Sequence, residues 1–411
     1  MTVKEKQQAP PIPSRLAQSV APSKTMEIAA LIARLKGEGR DIIALSAGEL
    51  ACAPPESAIR GAAEAVARKD ARYTVNTGAI ELRQAICDKY AREISWRITP
   101  PDVIVTSGAK QAIYNTLLAL LDPGDDVITF SPYWVSYPEQ IRLTGANMVE
   151  VKTTLADSFQ VDTDKFERAI TDRTKLVILN SPNNPTGAVY PESAIRRITQ
   201  ICAERGIWLM SDEIYEKIVF APLKHYSVAE APEADLDRVI MINGFSKTYA
   251  MTGWRLGYAI GPAEIIKSAA KIQSHSTSNA CSLSQQAALA ALKADTRGEN
   301  DSYFDNLIPG LVKRRDSALK ILADAPQLKT VTPAGAFYLM LNVSALFGKT
   351  GGGQKLTSAA DVCRWFIEDL GVATSPGEAF GAGDYLRVSF SAAQELVEDG
   401  CQRIKRGISA L

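Results

Sequence analysis

The sequence predicts an α/β fold: a mostly parallel sheet with helices on both faces, joined to a smaller α+β domain. Three observations carry that prediction. Short apolar runs alternate with stretches of helix length through residues 41–300, the order that builds parallel strands with right-handed crossovers. Several runs, Leu176-Val177-Ile178-Leu179 among them, are apolar at every position, as strands covered on both faces are. Beyond Asp301 the alternation stops, and a long helical stretch precedes two strand-like runs and further helices.

Taken in order, residues 1–20 read as a polar, Pro-rich arm. Met1-Thr2-Val3-Lys4-Glu5-Lys6 leads into Gln7-Gln8-Ala9-Pro10-Pro11-Ile12-Pro13, without the apolar core of a signal peptide. Pro22-Ser23 opens a helix in which Ile28, Leu31, Ile32 and Leu35 share one face, and Gly37 and Gly39 close it. Strands are expected at 41–45, 103–106, 126–130, 175–180, 207–211 and 239–243, with crossover helices at 110–121 and 192–205. A helix at 307–323, a strand at 336–341, a helix at 358–370, a strand at 385–390 and a terminal helix make the α+β part. The run Gly348-Lys349-Thr350-Gly351-Gly352-Gly353 reads as a flexible surface loop; it lacks the Walker pattern, so no phosphate site is placed there. The expected division is an arm at 1–20, a small domain from 21–50 and 301–411, and a large domain at 51–300.

Composition narrows the function classes. The chain has 411 residues, with 46 Lys plus Arg against 46 Asp plus Glu and hence no formal net charge. That balance argues against nucleic acid as a partner, which needs a basic excess. No segment approaches the run of about 18 apolar residues that spans a membrane. The cysteines, Cys52, Cys87, Cys202, Cys281, Cys363 and Cys401, are far apart, and only His225 and His275 could join them as metal ligands. They read as reduced thiols of a cytoplasmic protein, with no metal site.

One segment carries most of the chemistry: Asn243-Gly244-Phe245-Ser246-Lys247-Thr248-Tyr249-Ala250-Met251-Thr252-Gly253-Trp254-Arg255-Leu256-Gly257-Tyr258. It follows an apolar strand, and Lys247 sits there among small residues. Desolvation lowers the pKa of such a lysine and makes its amine nucleophilic. Ser107-Gly108-Ala109-Lys110 joins a strand to a helix, so its backbone N–H groups and the helix dipole form an anion site. Read alone, Lys247 could still be a surface lysine, and Asn184 a turn residue of Asn-Pro-Thr-Gly.

The Lys247 segment does not stand alone. Ser131-Pro132-Tyr133-Trp134-Val135-Ser136-Tyr137-Pro138, Ser181-Pro182-Asn183-Asn184-Pro185-Thr186-Gly187, Ser211-Asp212-Glu213-Ile214-Tyr215 and Tyr385-Leu386-Arg387-Val388-Ser389 occur with it. In that order they resemble class I (fold type I) aminotransferases that use pyridoxal 5'-phosphate, nearest the bacterial aspartate/prephenate subgroup. The likeness runs from about Ser14 to the C-terminus.

The resemblance implies a role for each matching residue. Lys247 forms the Schiff base with the cofactor and then serves as the base that moves the proton. Asp212 keeps the pyridine nitrogen protonated, while Asn184 and Tyr215 donate to the ring oxygen. Gly108, Ala109, Lys110, Ser246 and Arg255 cradle the phosphate, and Tyr73 reaches the phosphate of a neighbouring subunit, which implies a homodimer with shared sites. Trp134 stacks on the ring. Arg387 takes the substrate α-carboxylate as a bidentate pair, and Gly48 approaches the same group through its backbone. The substrates implied are an amino acid and a 2-oxo acid.

Three places depart from the family pattern. The usual Gly-Glu-Pro-Asp-Phe loop reads Gly48-Glu49-Leu50-Ala51-Cys52-Ala53-Pro54. The Lys-Pro-Ser stretch of aspartate-type members reads Ala21-Pro22-Ser23, followed by Lys24, which weakens the case for a dicarboxylate. His275 lies where the family meets the phosphate and the subunit boundary, and reads as a partly buried structural histidine. The shared machinery alone does not separate amino transfer from elimination, replacement or carbon–carbon bond formation on the same fold. A non-enzymatic DNA-binding regulator is disfavoured by the short arm and the zero charge.

Overall fold

The computed structural model describes residues 12–22 and 24–411. The readings of the arm before Ile12, of Ser23 and of the Lys24 side chain lie outside the described residues.

The centre is a seven-stranded sheet built from β1 (Val103–Thr106), β2 (Asp126–Ser131), β3 (Asn147–Lys152), β4 (Thr174–Asn180), β5 (Trp208–Asp212), β6 (Val239–Gly244) and β7 (Gly257–Ile260). Their order is β1-β7-β6-β5-β4-β2-β3, and only β7 runs antiparallel to its neighbours. The all-apolar runs explain why: Leu176 and Ile178 pack into the core on one face while Val177 and Leu179 pack on the other. Helices cover both faces, among them Ala109–Leu120, Glu192–Arg205 and Ala263–Ser276.

A separate three-stranded antiparallel sheet orders Ser375–Pro376, Tyr385–Ser389 and Tyr338–Asn342. The helices Asp301–Leu322 and Gln394–Ser409 pack on one another beside it. A short parallel pair joins Ile43–Ala44 to Val372–Ala373, tying the N-terminal stretch to the C-terminal part.

Several elements differ from the sequence expectation. The strand expected at 41–45 pairs only over Ile43–Ala44. β3 was not foreseen, because it is the sheet edge and its Asn147, Glu150 and Lys152 break the apolar pattern. β7 is hidden inside the Lys247 segment, where small residues mask a fully buried strand. The arm contains a short helix, Arg15–Ser19, capped by Ser14 Oγ. The 348–353 loop holds a small hairpin, Thr350–Gly351 with Gln354–Lys355. The helix expected from 307 begins at Asp301 and carries Pro309 in its interior.

The topology fixes where chemistry can occur. β1, β2, β4, β5 and β6 are read in one direction and deliver Gly108, Trp134, Asn184, Asp212 and Lys247 at or just past their C-terminal ends. That edge of a parallel sheet is where α/β proteins bind ligands.

Candidate active site

A cavity of about 560 Å³ opens at that edge. Gly48, Ala109, Lys110, Trp134, Asn184, Asp212, Tyr215, Ser246, Lys247, Arg255 and Arg387, all expected from the sequence, line it. Gly108 stands directly behind the wall. Its φ of +88° favours glycine, and a Cβ there would lie 2.6 Å from Arg255 Nη2. Tyr73 is the exception: it is 91% exposed and lies outside the cavity of its own chain. His275 is exposed rather than partly buried, at the end of its helix.

Asp212 forms the floor. Its carboxylate is buried, accepts from Tyr137 Oη at 2.6 Å and meets the Ile214 N–H at 3.3 Å. Burial pushes its pKa up to about 6, against the pull of those two donors. Asn180, at the end of β4, donates to the Asp212 carbonyl at 2.9 Å and accepts from the Asn184 N–H at 2.9 Å. One side chain therefore locks two strand ends together.

Lys247 is half-buried and its Nζ donates to the Gly48 carbonyl. Burial, with the nearby Arg387 charge, lowers its pKa to about 8. A lysine so placed exchanges its proton near neutral pH, as a nucleophile and base must.

Arg387 is held face-on between Tyr338 at 4.5 Å and Phe380 at 4.7 Å from the guanidinium carbon. Its Nη1 donates to Asn184 Oδ1 at 2.9 Å and its Nη2 to the Ser46 carbonyl at 2.8 Å. Its Nε is buried without a partner. Gly48 belongs to this corner, since a Cβ on it would lie 2.6 Å from Tyr338 Oη. Lys110 sits 5.1 Å over the Trp134 ring, and burial and the Arg255 charge lower its pKa.

These features fit pyridoxal phosphate on the residues alone. A buried carboxylate with a raised pKa has an unmet demand for a cation, which a protonated ring nitrogen meets. Burial and the Arg255 charge lower the Lys110 pKa, so a bound anion beside them would stabilise the lysine's charge, and the β1–helix turn adds N–H donors there. The orphaned Arg387 Nε asks for an anion on the other side.

The comparisons with known proteins agree. Residues 40–404 match the family described as aminotransferase class I and II. This chain belongs to that family. It is 39% identical over 388 residues to the aspartate/prephenate aminotransferase of Cereibacter sphaeroides, covering 94% of this chain and 96% of the relative. It is 38% identical over 392 residues to the bifunctional aspartate aminotransferase and glutamate/aspartate-prephenate aminotransferase of Petunia hybrida, covering 95% and 81%. Among solved structures, the aspartate aminotransferase of Thermus thermophilus with maleate superposes with a TM-score of 0.90 at 37% identity, covering 96% and 99%. The aminotransferase thus has fold type I, uses pyridoxal phosphate and works on amino and 2-oxo acids.

Sequence reasoning missed several lining or supporting residues. Tyr137 was visible in the Ser131–Pro138 stretch, but its bond to Asp212 is tertiary. Asn180 reads as the end of an apolar strand. Tyr338, whose hydroxyl is 2.8 Å from that of Tyr215, reads as core. Met26, Ala29 and Ile32 line the rim from a helix that looks merely amphipathic.

Proposed function

We propose that this aminotransferase takes the amino group of an acidic amino acid and passes it to a 2-oxo acid, in a ping-pong cycle at sites shared by a homodimer. The observation that carries the residue roles is the pairing, in one cavity, of a near-neutral lysine with a buried carboxylate and a half-satisfied arginine. When bound, pyridoxal phosphate supplies an electron-accepting ring that lets the amino acid Cα–H bond break.

The chain's own residues do the rest. Arg387 grips the α-carboxylate through its guanidinium, oriented by Asn184 and the Ser46 carbonyl. Lys247 Nζ, released when the substrate amine arrives, would take the Cα proton and return it in a 1,3 shift to the carbon beyond the nitrogen. Asp212 holds the proton of the ring nitrogen, steadied by Tyr137. Asn184 and Tyr215 donate to the ring oxygen. Trp134 covers the ring and excludes water. Gly108, Ala109, Lys110, Ser246 and Arg255 hold the phosphate.

The relatives named for aspartate and prephenate support an acidic donor, although Ala21-Pro22-Ser23 lacks the lysine of the Lys-Pro-Ser stretch, so a different cation has to meet the distal carboxylate. The apolar rim of Met26, Ala29 and Ile32 supports an acceptor with a bulky apolar body. For the dimer, Tyr73 is 91%, Val75 60% and Ile80 50% exposed within one short stretch of chain, apolar surface that a second copy would cover. A large domain at 51–300 with a small domain from 21–50 and 301–411 fits the pairing of Ile43–Ala44 with Val372–Ala373. A cytoplasmic setting fits the six free cysteines. No described helix is long and apolar enough to cross a membrane.

A panel of amino acids added singly to the purified holoenzyme tests the substrate. Aspartate or glutamate should convert the chromophore and yield its 2-oxo acid. Conversion by leucine or alanine but by neither acid would contradict the acidic donor.

A further inference from the structure

The turn that carries Asp212 and Tyr215 also has a back. Asp212, Ile214 and Tyr215 line the active-site cavity, while Glu213, Glu216 and Lys217 line a second cavity of about 200 Å³ that shares no residue with the first. The Glu213 carboxylate accepts from Ser211 Oγ at 2.8 Å, from Ser227 Oγ at 3.0 Å and from the Val228 N–H at 3.2 Å. It lies 2.8 Å from His225 Nε2, with 2% of the Glu213 side chain and 13% of the His225 side chain exposed. Three residues on, Glu216 pairs with the buried Lys89 at 2.7 Å. A buried histidine–carboxylate contact and a buried ion pair thus bolt the turn from behind. His225 Nδ1 is buried with no protein partner, and the second cavity has room for water to meet it.

We propose that His225 is a positioning residue of the active site, which holds Glu213 from behind and so sets Asp212 and Tyr215 in front. Glu213 follows Asp212 directly, and the peptide that joins them is held at the sheet end by its N–H on the Ile242 carbonyl at 2.9 Å and from behind by the Glu213 side chain, so losing the second hold loosens the peptide that carries Asp212. A buried carboxylate that loses its cation is strongly destabilised and has to move or take up a proton. Trouble at Glu213 therefore reaches the carboxylate that faces the ring nitrogen.

The charges around His225 favour its proton. Glu213 and Glu216 face it from the turn and Glu230 from the short helix Val228–Glu230, while Lys89 and Glu93 come from the helix Ile80–Glu93 and Lys217 from the turn. Burial lowers its pKa, but the acidic neighbours win and the result lies above the ordinary histidine value. A raised folded pKa means the pair is complete below the unfolded value and is lost as pH rises through the folded one. Cofactor retention should therefore weaken as pH rises.

The inference rests on Asp212 being the ring-nitrogen partner, so Asp212→Asn is measured in parallel. His225→Ala should lower the affinity of apoenzyme for pyridoxal phosphate about tenfold, the scale of losing a supporting contact behind a ligand. It should also change the visible circular dichroism of the bound cofactor, while KM for the amino donor stays within about twofold because Arg387 is untouched. His225→Gln keeps a donor to Glu213 without a charge; it should recover most of the affinity at neutral pH and lose the decline at higher pH. Wild-type affinity, dichroism and pH profile in His225→Ala would overturn the proposal, whatever the change in Tm. If that variant does not fold, a wild-type pH profile in His225→Gln overturns it. Wild-type behaviour in Asp212→Asn would instead sink the reading of Asp212. Loss there with intact His225 variants would sink the positioning role alone.

Discussion

The floor of the cavity and its rim are built differently. The floor is built on buried strands: Asp212, Asn184 and Tyr215 stand at or just past ends of the central sheet, each with a fixed partner in Tyr137, Asn180 or Tyr338, and Arg387 stands in the three-stranded sheet. The rim is the 48–54 loop and one face of the helix Lys24–Gly37, where Glu49 and Met26 are exposed. Glu49 reaches across to Thr252 Oγ1, and its carbonyl accepts from Ser391 Oγ at 2.6 Å, so the rim is tied to both parts of the molecule. The floor holds residues that the resemblance to the family implied, while the rim holds the 48–54 loop that departs from the usual pattern. Bond breaking needs fixed geometry, and substrate choice needs only a changed wall.

Perturbing the floor should therefore cost far more than perturbing the rim. Lys247→Ala should abolish the imine absorbance band and slow turnover by about 10⁴-fold or more, as read in single-turnover kinetics. Arg387→Lys keeps the charge but loses the fork. It should lower kcat/KM by about 10²-fold, the cost of misplacing a substrate by an ångström. The pH dependence of cofactor uptake by apoenzyme should follow Lys247. Its lowered pKa of about 8 leaves the amine protonated and unreactive below that pH, so the uptake rate should climb about tenfold per pH unit and level off above it. At the rim, Met26→Ala should change the ratio of kcat/KM between a small and a bulky 2-oxo acid by only about threefold, because Met26 is 67% exposed. A rim effect as large as the Arg387 effect would break the division.

The floor was legible in the sequence for the same physical reason that it is rigid. Lys247, Asp212, Asn184 and Arg387 each sit at or just past a buried strand, where local sequence dictates local geometry. Their supports were not legible. The hydroxyl of Tyr137 meets Asp212 across 75 residues of chain, and that of Tyr338 meets Tyr215 across 123, and no local pattern encodes such separations. β7 escaped notice because Gly257 and Ala259 are small, yet the strand closes the sheet between β1 and β6. The Arg387 partners were also hidden, since the Ser46 carbonyl is backbone and carries no side-chain signal.

The central claim is that Lys247 carries the covalent bond to the cofactor. Reducing the holoenzyme with borohydride and mapping the labelled peptide tests it directly. The account predicts one pyridoxyl group per chain, on Lys247 within Phe245–Arg255, and none in Lys247→Ala. A label on Lys110 or another lysine, or an unlabelled chain that still transfers amino groups, would contradict it.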